Sequence, residues 1–185
     1  PEKFGTLGDR TESISEGVHT GCNEAFFIDK REAQQKELED ELLKPMLKGK
    51  DVKRYSDLQT SLQCIYPYRS NGEVISANSL KEDYPNIWDH LIEHREQLEG
   101  RTYVIESGKD WYEIWCERRP VIFSNPKIVT PDIADSNQFS IDTDSNPKYF
   151  NTKVKSIKLS ESVGVEEYYG LLGVLNSKLM EFVYR

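Results

Sequence analysis

At 185 residues the chain is long enough for one domain with a short terminal extension, and a hydrophobic content of 37%, of which aromatics make 11% of the chain, supports a packed core rather than disorder. No apolar run approaches the ~20 residues that cross a bilayer, which excludes a transmembrane helix and a membrane partner of that kind. A formal net charge of -8 argues against an independent non-specific nucleic-acid binder, because such affinity comes from Lys and Arg meeting phosphate.

Residues 1–10 read as a connector from a parent chain and residues 11–185 as the domain proper. The aromatic and β-branched run Ala25 to Asp29 predicts a buried strand. Arg31 to Lys44 predicts a mostly exposed helix with few apolar positions, ended by Pro45. Ser61 to Tyr66 predicts a second strand, followed by a turn at Ser70 to Gly72. Pro85 fits the first turn of a helix running to about Glu99. Ile87, Trp88, Leu91, Ile92, Arg95 and Leu98 share one face of it, and Gly100 stops it.

Trp111 to Trp115, Val121 to Phe123, Lys127 to Thr130, Phe139 to Asp142 and Val154 to Leu159 predict short strands separated by turn signals. Val165 to Arg185 places Tyr168, Leu172, Leu175, Leu179 and Phe182 at alternating four- and three-residue steps. It predicts an amphipathic helix that continues in the parent. Strands and helices do not alternate regularly, so the expected class is α+β: mixed short-stranded sheet or sheets with about three helices.

Cys22, Cys64 and Cys116 are far apart, without paired-thiol spacing, and no secretory signal precedes them. A reduced, cytoplasmic location is expected, and the start at Pro1 reads as a piece of a longer protein. His90 and His94 stand one helical turn apart, but no acid follows the first in the zinc-protease manner, so a solvated helix face and no metal are expected.

Catalytic patterns are absent. Methyl transfer to an exocyclic base amine needs a Gly-rich turn for S-adenosylmethionine and an Asn- or Asp-Pro-Pro-aromatic tetrad for the flipped base. Asn146-Pro147-Lys148-Tyr149 lacks the second Pro and Asn125-Pro126-Lys127-Ile128 departs further, so both read as turns. Pro131-Asp132 opens no acid-x-Lys nuclease pair, and no Ser or His lies in a nucleophile elbow. No catalytic residue is assigned.

Binding signals are local. Glu32, Glu37, Glu39, Asp40 and Glu41 precede a basic run of Lys44, Lys48, Lys50, Lys53 and Arg54, broken by Pro45 and Gly49. This is either a solvated charge run or a rigid loop that positions phosphate. Lys148, Lys153, Lys155 and Lys158 form another basic stretch. Gly17-Val18-His19-Thr20-Gly21-Cys22-Asn23 is either a tight turn or a contact loop. Trp111-Tyr112-Glu113-Ile114-Trp115 suits a core, and Arg118 and Arg119 after it are the residue type that most often reads guanine.

Several of these segments, in order, resemble the TaqI-like specificity domain. They are Gly17 to Phe26, Leu43-Lys44-Pro45 with Lys48 to Tyr55, Tyr66-Pro67-Tyr68, the helix to Leu98 followed by Arg101, Trp111-Tyr112-Glu113, Pro126 to Val129 and Leu175 to Leu179. The resemblance spans roughly residues 7 to 182. The resemblance implies a C-terminal target recognition domain of an adenine-specific DNA methyltransferase, which in many members also carries a restriction nuclease on the same polypeptide. Its partners would be double-stranded DNA and the catalytic domain of the same parent, which would hold the S-adenosylmethionine. In that family variable loops read base edges in the major groove, whereas the hallmark motifs mostly hold the scaffold.

On that footing Lys48, Lys50, Lys53 and Arg54 are candidate phosphate contacts. Arg69, Asn71, Lys109, Arg118 and Arg119 are candidate base readers because they are polar and lie in or beside loops, with Thr20 and Asn23 as further loop contacts. An alternative use of the chain is a platform that docks a specificity or nuclease partner through the terminal helix.

Overall fold

The computed structural model describes residues 6–183. In chain order it has α1 (Leu7–Arg10), β1 (Thr11–Glu16), α2 (Asn23–Phe26), β2 (Phe27–Asp29), α3 (Lys30–Gln35), β3 (Leu43–Leu47) and β4 (Leu62–Ile65). The middle holds α4 (Ala77–Asp83), α5 (Pro85–Glu93), α6 (Arg95–Glu99) and α7 (Thr102–Glu106). There follow β5 (Lys127–Pro131), β6 (Ser140–Asp142), β7 (Tyr149–Phe150), β8 (Val154–Leu159), α8 (Val165–Leu175) and α9 (Lys178–Val183). The class is α+β. Two compact units divide the chain: the first is Pro1–Gly17, Leu47–Gln59 and Val121–Arg185, the second Val18–Met46 and Thr60–Pro120.

The first unit is built on an antiparallel sheet in the order β1-β8-β5-β6. Its strands at 127, 140 and 154 follow the predicted runs closely. β1 went unpredicted because its Thr-Glu-Ser-Ile-Ser-Glu sequence is polar; it alternates half-buried and exposed positions, as a strand open to water on one face does. Ile128, Ile157, Leu159, Tyr168 and Leu172 pack α8 against the sheet. The Tyr168 hydroxyl meets its hydrogen-bond need inside that core by accepting from the Leu159 amide at 2.8 Å.

The predicted helix from Val165 breaks at Asn176 and Ser177. Asn176 is buried, and its side chain accepts from Phe139 N at 3.0 Å and donates to Phe139 O at 2.8 Å. Ser177 then offers its hydroxyl to Met180 N and starts α9. Tyr168 and Leu172 face the core as predicted, whereas Leu179 and Phe182 stand 71% and 81% exposed. Of the predicted connector, residues 1–5 lie outside the described residues, and α1 occupies 7–10 behind a Thr6–Asp9 capping box.

The second unit carries the antiparallel strands β2, β4 and β3, with β4 in the middle. The aromatic run at 25 is split: Ala25 and Phe26 close a helical turn, and only Phe27–Asp29 pairs as a strand. The helix predicted to Lys44 stops at Gln35. Glu37 takes φ 51° while its amide donates to Gln34 O at 3.1 Å and Leu38 N donates to Ala33 O at 3.0 Å. That is a Schellman stop with Glu where Gly is usual, and it frees residues 43–47 for β3.

The helix from Pro85 forms as α5 and α6, separated by His94 at φ -101° and ψ 8°. Trp111 to Trp115 makes a turn rather than a strand: Glu113 N donates to Asp110 O, and Asp110 N donates to the Glu113 carboxylate. Its rings enter an edge-on cluster, with Trp88 5.4 Å from Trp111 and 5.9 Å from Tyr112. In the first unit, Val121 to Phe123 is likewise no strand but part of the 3-10 turn Pro120–Phe123, whose carbonyls take lysine ammonium groups.

Candidate nucleic-acid interface

The basic run at 48 to 54 becomes a fixed turn. Asp51 accepts from Lys48 N at 2.8 Å, closing the 3-10 turn Gly49–Asp51, and Val52 is buried behind it. The Ser140 hydroxyl donates to Lys53 O, and Tyr55 N donates to Phe139 O at 3.2 Å. Lys50 and Lys53 are exposed and, among the described residues, their ammonium groups have no partner. Arg54 differs: its Nε donates to Asn137 O at 2.9 Å and its Nη2 pairs with Glu181 at 2.8 Å. Four cations close in sequence therefore separate into an anchor, Arg54, a half-buried Lys48, and the outward Lys50 and Lys53.

Sequence reasoning passed over Lys153 as one of a stretch. Lys148 pairs with Asp144 at 2.8 Å, Lys155 with Glu16 and Asp132 at 3.1 and 3.3 Å, and Lys158 donates to Val121 O and the Ser124 hydroxyl. Lys153 alone of these is exposed without a side-chain partner among the described residues. It adjoins the first basic turn, since a β-carbon placed on Gly49 would lie 3.2 Å from Lys153 O and 3.6 Å from Pro131 Cβ. Only the fold reveals that closeness, about a hundred residues apart in sequence.

In the second unit the scaffold role of the hallmark motifs is explicit. Arg101 is buried, and its guanidinium donates to Leu98 O at 3.1 Å, Thr20 O at 2.6 Å and Trp111 O. Burial lowers its pKa from the usual arginine value. One side chain thus ties three hallmark segments together through carbonyls. His19 bridges Cys116 as an antiparallel pair beside it. Thr20 is 1% exposed; its hydroxyl donates to Asn23 Oδ1 at 2.8 Å and accepts from Cys22 N at 3.2 Å. The loop is a self-bonded turn, with Thr20 inside it and Asn23 at its rim. In the first unit, Gly17 is required by close approach, because a β-carbon would fall 1.7 Å from Phe150 O.

The remaining candidates gather along residues 109 to 120. Tyr66 donates its hydroxyl to Arg118 O at 2.6 Å, and a β-carbon on Gly72 would lie 3.6 Å from Pro120 Cδ. The turn carrying Arg69 and Asn71 therefore abuts the segment carrying Arg118 and Arg119. Arg69 and Arg119 are exposed, and Arg118 is half-buried with a guanidinium contact to Glu117 O at 3.5 Å. Asn71 is engaged with Glu73, accepting from its amide at 3.0 Å and donating to its carboxylate at 2.8 Å. Lys109 is held by Glu117 and by Ile114 O at 3.1 Å.

The motifs tested for chemistry do not fit it. Tyr149 is buried against Phe123 with ring centroids 3.9 Å apart, so it cannot grip a flipped base, and Lys148 folds onto Asp144 and Asn146 O. Asn125 donates to Asp142 at 3.1 Å and accepts from Lys127 at 2.7 Å. Burial pushes the Cys64 thiol well above its ordinary pKa. His90 corrects the expected solvated face: it is buried, with Nε2 3.1 Å from Ala25 O and Nδ1 3.3 Å from Lys36 Nζ. Burial and the neighbouring Lys36 lower its pKa. Among the described residues no group of three or more His, Cys, Asp or Glu is placed to hold a metal ion, and no helix is long and apolar enough to cross a membrane.

Comparison with known proteins agrees with the motifs from residue 44 onward, while the segment Gly17 to Phe26 lies outside the match. The profile of the TaqI-like C-terminal specificity domain matches residues 44–185. Type II methyltransferase M.BanIII of Aneurinibacillus aneurinilyticus is 30% identical over 128 residues, which cover 66% of this chain and 22% of that protein. Type II methyltransferase M.BstVI of Geobacillus stearothermophilus is 25% identical over 137 residues, 73% of this chain and 23% of that protein. Type II methyltransferase M.PaeR7I of Pseudomonas aeruginosa is 23% identical over 130 residues, 70% of this chain and 21% of that protein. The aligned part of the chain thus spans less than a quarter of each relative. With that match over most of its length, the chain belongs to the TaqI-like C-terminal specificity domain family.

Proposed function

We propose that this chain is the DNA-reading module of a larger adenine-specific DNA methyltransferase, in which another part of the polypeptide binds S-adenosylmethionine and transfers the methyl group. Membership in a specificity-domain family carries this reading. The geometry adds the means. Lys50, Lys53 and Lys153 present ammonium groups suited to phosphate, which fixes register without reading sequence. Arg69, Arg118 and Arg119 present guanidinium groups of the kind that bond guanine edges in the major groove. Arg54 serves by holding the basic turn in place rather than by reaching phosphate. Double-stranded DNA and the catalytic part of the same parent are its partners.

The test is to incubate the full-length polypeptide with random duplex DNA and a methyl donor and sequence the modified positions. One short site methylated on adenine is the expected outcome; unselective methylation, or none, overturns the assignment. A second use is favoured by α9, whose Leu179, Phe182 and Val183 are exposed. In it the terminal helix docks a specificity or nuclease partner. Size analysis of the full-length protein against a variant with these three residues made polar would show a smaller assembly if so.

A further inference from the structure

The loop between β5 and β6 runs Asp132-Ile133-Ala134-Asp135-Ser136-Asn137-Gln138-Phe139, with Asn137 and Phe139 as structural anchors and Ile133 at its exposed part. Both its ends are tied down. Asp132 N donates to Lys153 O at 2.8 Å. Asn137 accepts from Arg54 at 2.9 Å and donates to Leu175 O at 2.9 Å, and Phe139 is held on both backbone groups by Asn176. Between these anchors Ile133 stands 84% exposed, more than any other large apolar side chain described.

A lone exposed apolar residue is ordinary. The setting of Ile133 is not. Asp132, next to it, is bonded to Lys153, and Gly49 brings Lys50 onto the adjoining turn. The nearest acid, Asp132, is neutralised by Lys155 at 3.3 Å. An exposed apolar side chain on a tied-down loop, which also carries the exposed Asp135, thus lies next along the backbone to Lys153 and its neighbour turn with Lys50, two exposed lysines whose ammonium groups have no partner among the described residues.

We propose that Ile133 reads a thymine in the major groove through its C5-methyl group, while Lys50 and Lys153 hold the phosphates beside it. This rests on the DNA-reading role proposed above. The chemistry selects the base: a side chain with nothing to donate or accept gains only from an apolar group, and among the unmodified bases only thymine shows a methyl there. Because so little of Ile133 is buried, Ile133→Ala removes little packing and should leave the domain folded.

The experiment uses the full-length polypeptide and the duplex it selects from random DNA. Each thymine is replaced in turn by deoxyuridine, which removes the methyl alone. At one position the replacement weakens wild-type binding roughly three- to tenfold, about the effect of burying one methyl group. Ile133→Ala loses a similar factor on the original duplex and nothing further on that replacement. The proposal is overturned if wild type ignores every replacement, if the variant responds to each as wild type does, or if the selected site has no thymine. Equal weakening of all sequences together with a lowered thermal midpoint makes Ile133 a protein contact and also overturns it. If the polypeptide selects no sequence at all, the DNA-reading role itself fails first.

Discussion

Glu37 sits at φ 51° directly after the end of α3, in a region where a β-carbon meets the backbone. Gly at such a helix stop carries no such cost. Glu37→Gly should therefore stabilise the protein by about 1 kcal/mol, read as a raised denaturation midpoint with an unchanged slope; a lowered midpoint would contradict the strain. Lys127 presents the opposite case. Its ammonium group is fully buried and donates to Phe123 O, Asn125 Oδ1 and Asp142 Oδ2, while Asp142 also accepts from Asn125 and from Lys148 N. Replacing it by Met strands a buried carboxylate and should cost ~3–5 kcal/mol. Burial lowers the Lys127 pKa further than Asp142 raises it, to about 8. Between that value and the unfolded one of about 10.4 the unfolded chain binds more protons. Stability of wild type relative to Lys127→Met should therefore rise with pH across this window and be flat below it, as urea midpoints at pH 7, 8 and 10 would show.

Elements were legible in the sequence where local pattern and tertiary demand agree. β5, β6 and β8 are short β-branched runs between turn signals, and the first turns of the helices at 85 and 165 begin at Pro85 and after Gly164 as read. Elements were misread where a distant group settles the backbone. Trp111 to Trp115 has strand composition, but Arg101 takes the Trp111 carbonyl, Asp110 takes the Glu113 amide, and the Tyr68 hydroxyl and Thr20 O take the amides of Ile114 and Trp115. The break between α8 and α9 has the same origin, because Asn176 clasps Phe139 across 37 positions. Asn176→Ala leaves that amide and carbonyl without their partner in a packed site and should cost about 2–3 kcal/mol. Asn176→Asp should be intermediate at neutral pH, since it keeps the acceptor but loses the donor; an alanine variant as stable as wild type would show that the clasp follows the break rather than causing it. The candidate site divides in the same manner. Residue type marked Lys50, Lys53 and Arg118, but the anchoring of Arg54 and the closeness of Lys153 to Gly49 exist only in three dimensions.

At the scale of the whole molecule, a net charge of -8 has to coexist with the phosphate-binding role proposed for Lys50, Lys53 and Lys153. The basic stretches contribute less outward charge than their sequence suggests, because Arg54, Lys127, Lys148, Lys155 and Lys158 are turned onto carboxylates or carbonyls. That leaves few cations to release counterions, and an acidic remainder to repel DNA as salt is lowered. The chain should therefore bind duplex DNA weakly and with a shallow salt dependence when separated from a more basic partner segment, and tightly only as part of the full-length polypeptide. In the latter, Lys50→Ala and Lys153→Ala should each weaken binding to all sequences alike and reduce the slope of log affinity against log salt by about 1. Arg118→Ala should instead relax the preference at one base pair and leave the slope nearly unchanged. Lys148→Ala supplies the control: its ammonium group is held by Asp144 and Asn146, so removing it should leave the slope as it was. If the slope fell equally for Lys148→Ala and Lys50→Ala, sequence position rather than the folded turn would be setting the phosphate contacts, and the division of these lysines into paired and outward groups would be wrong.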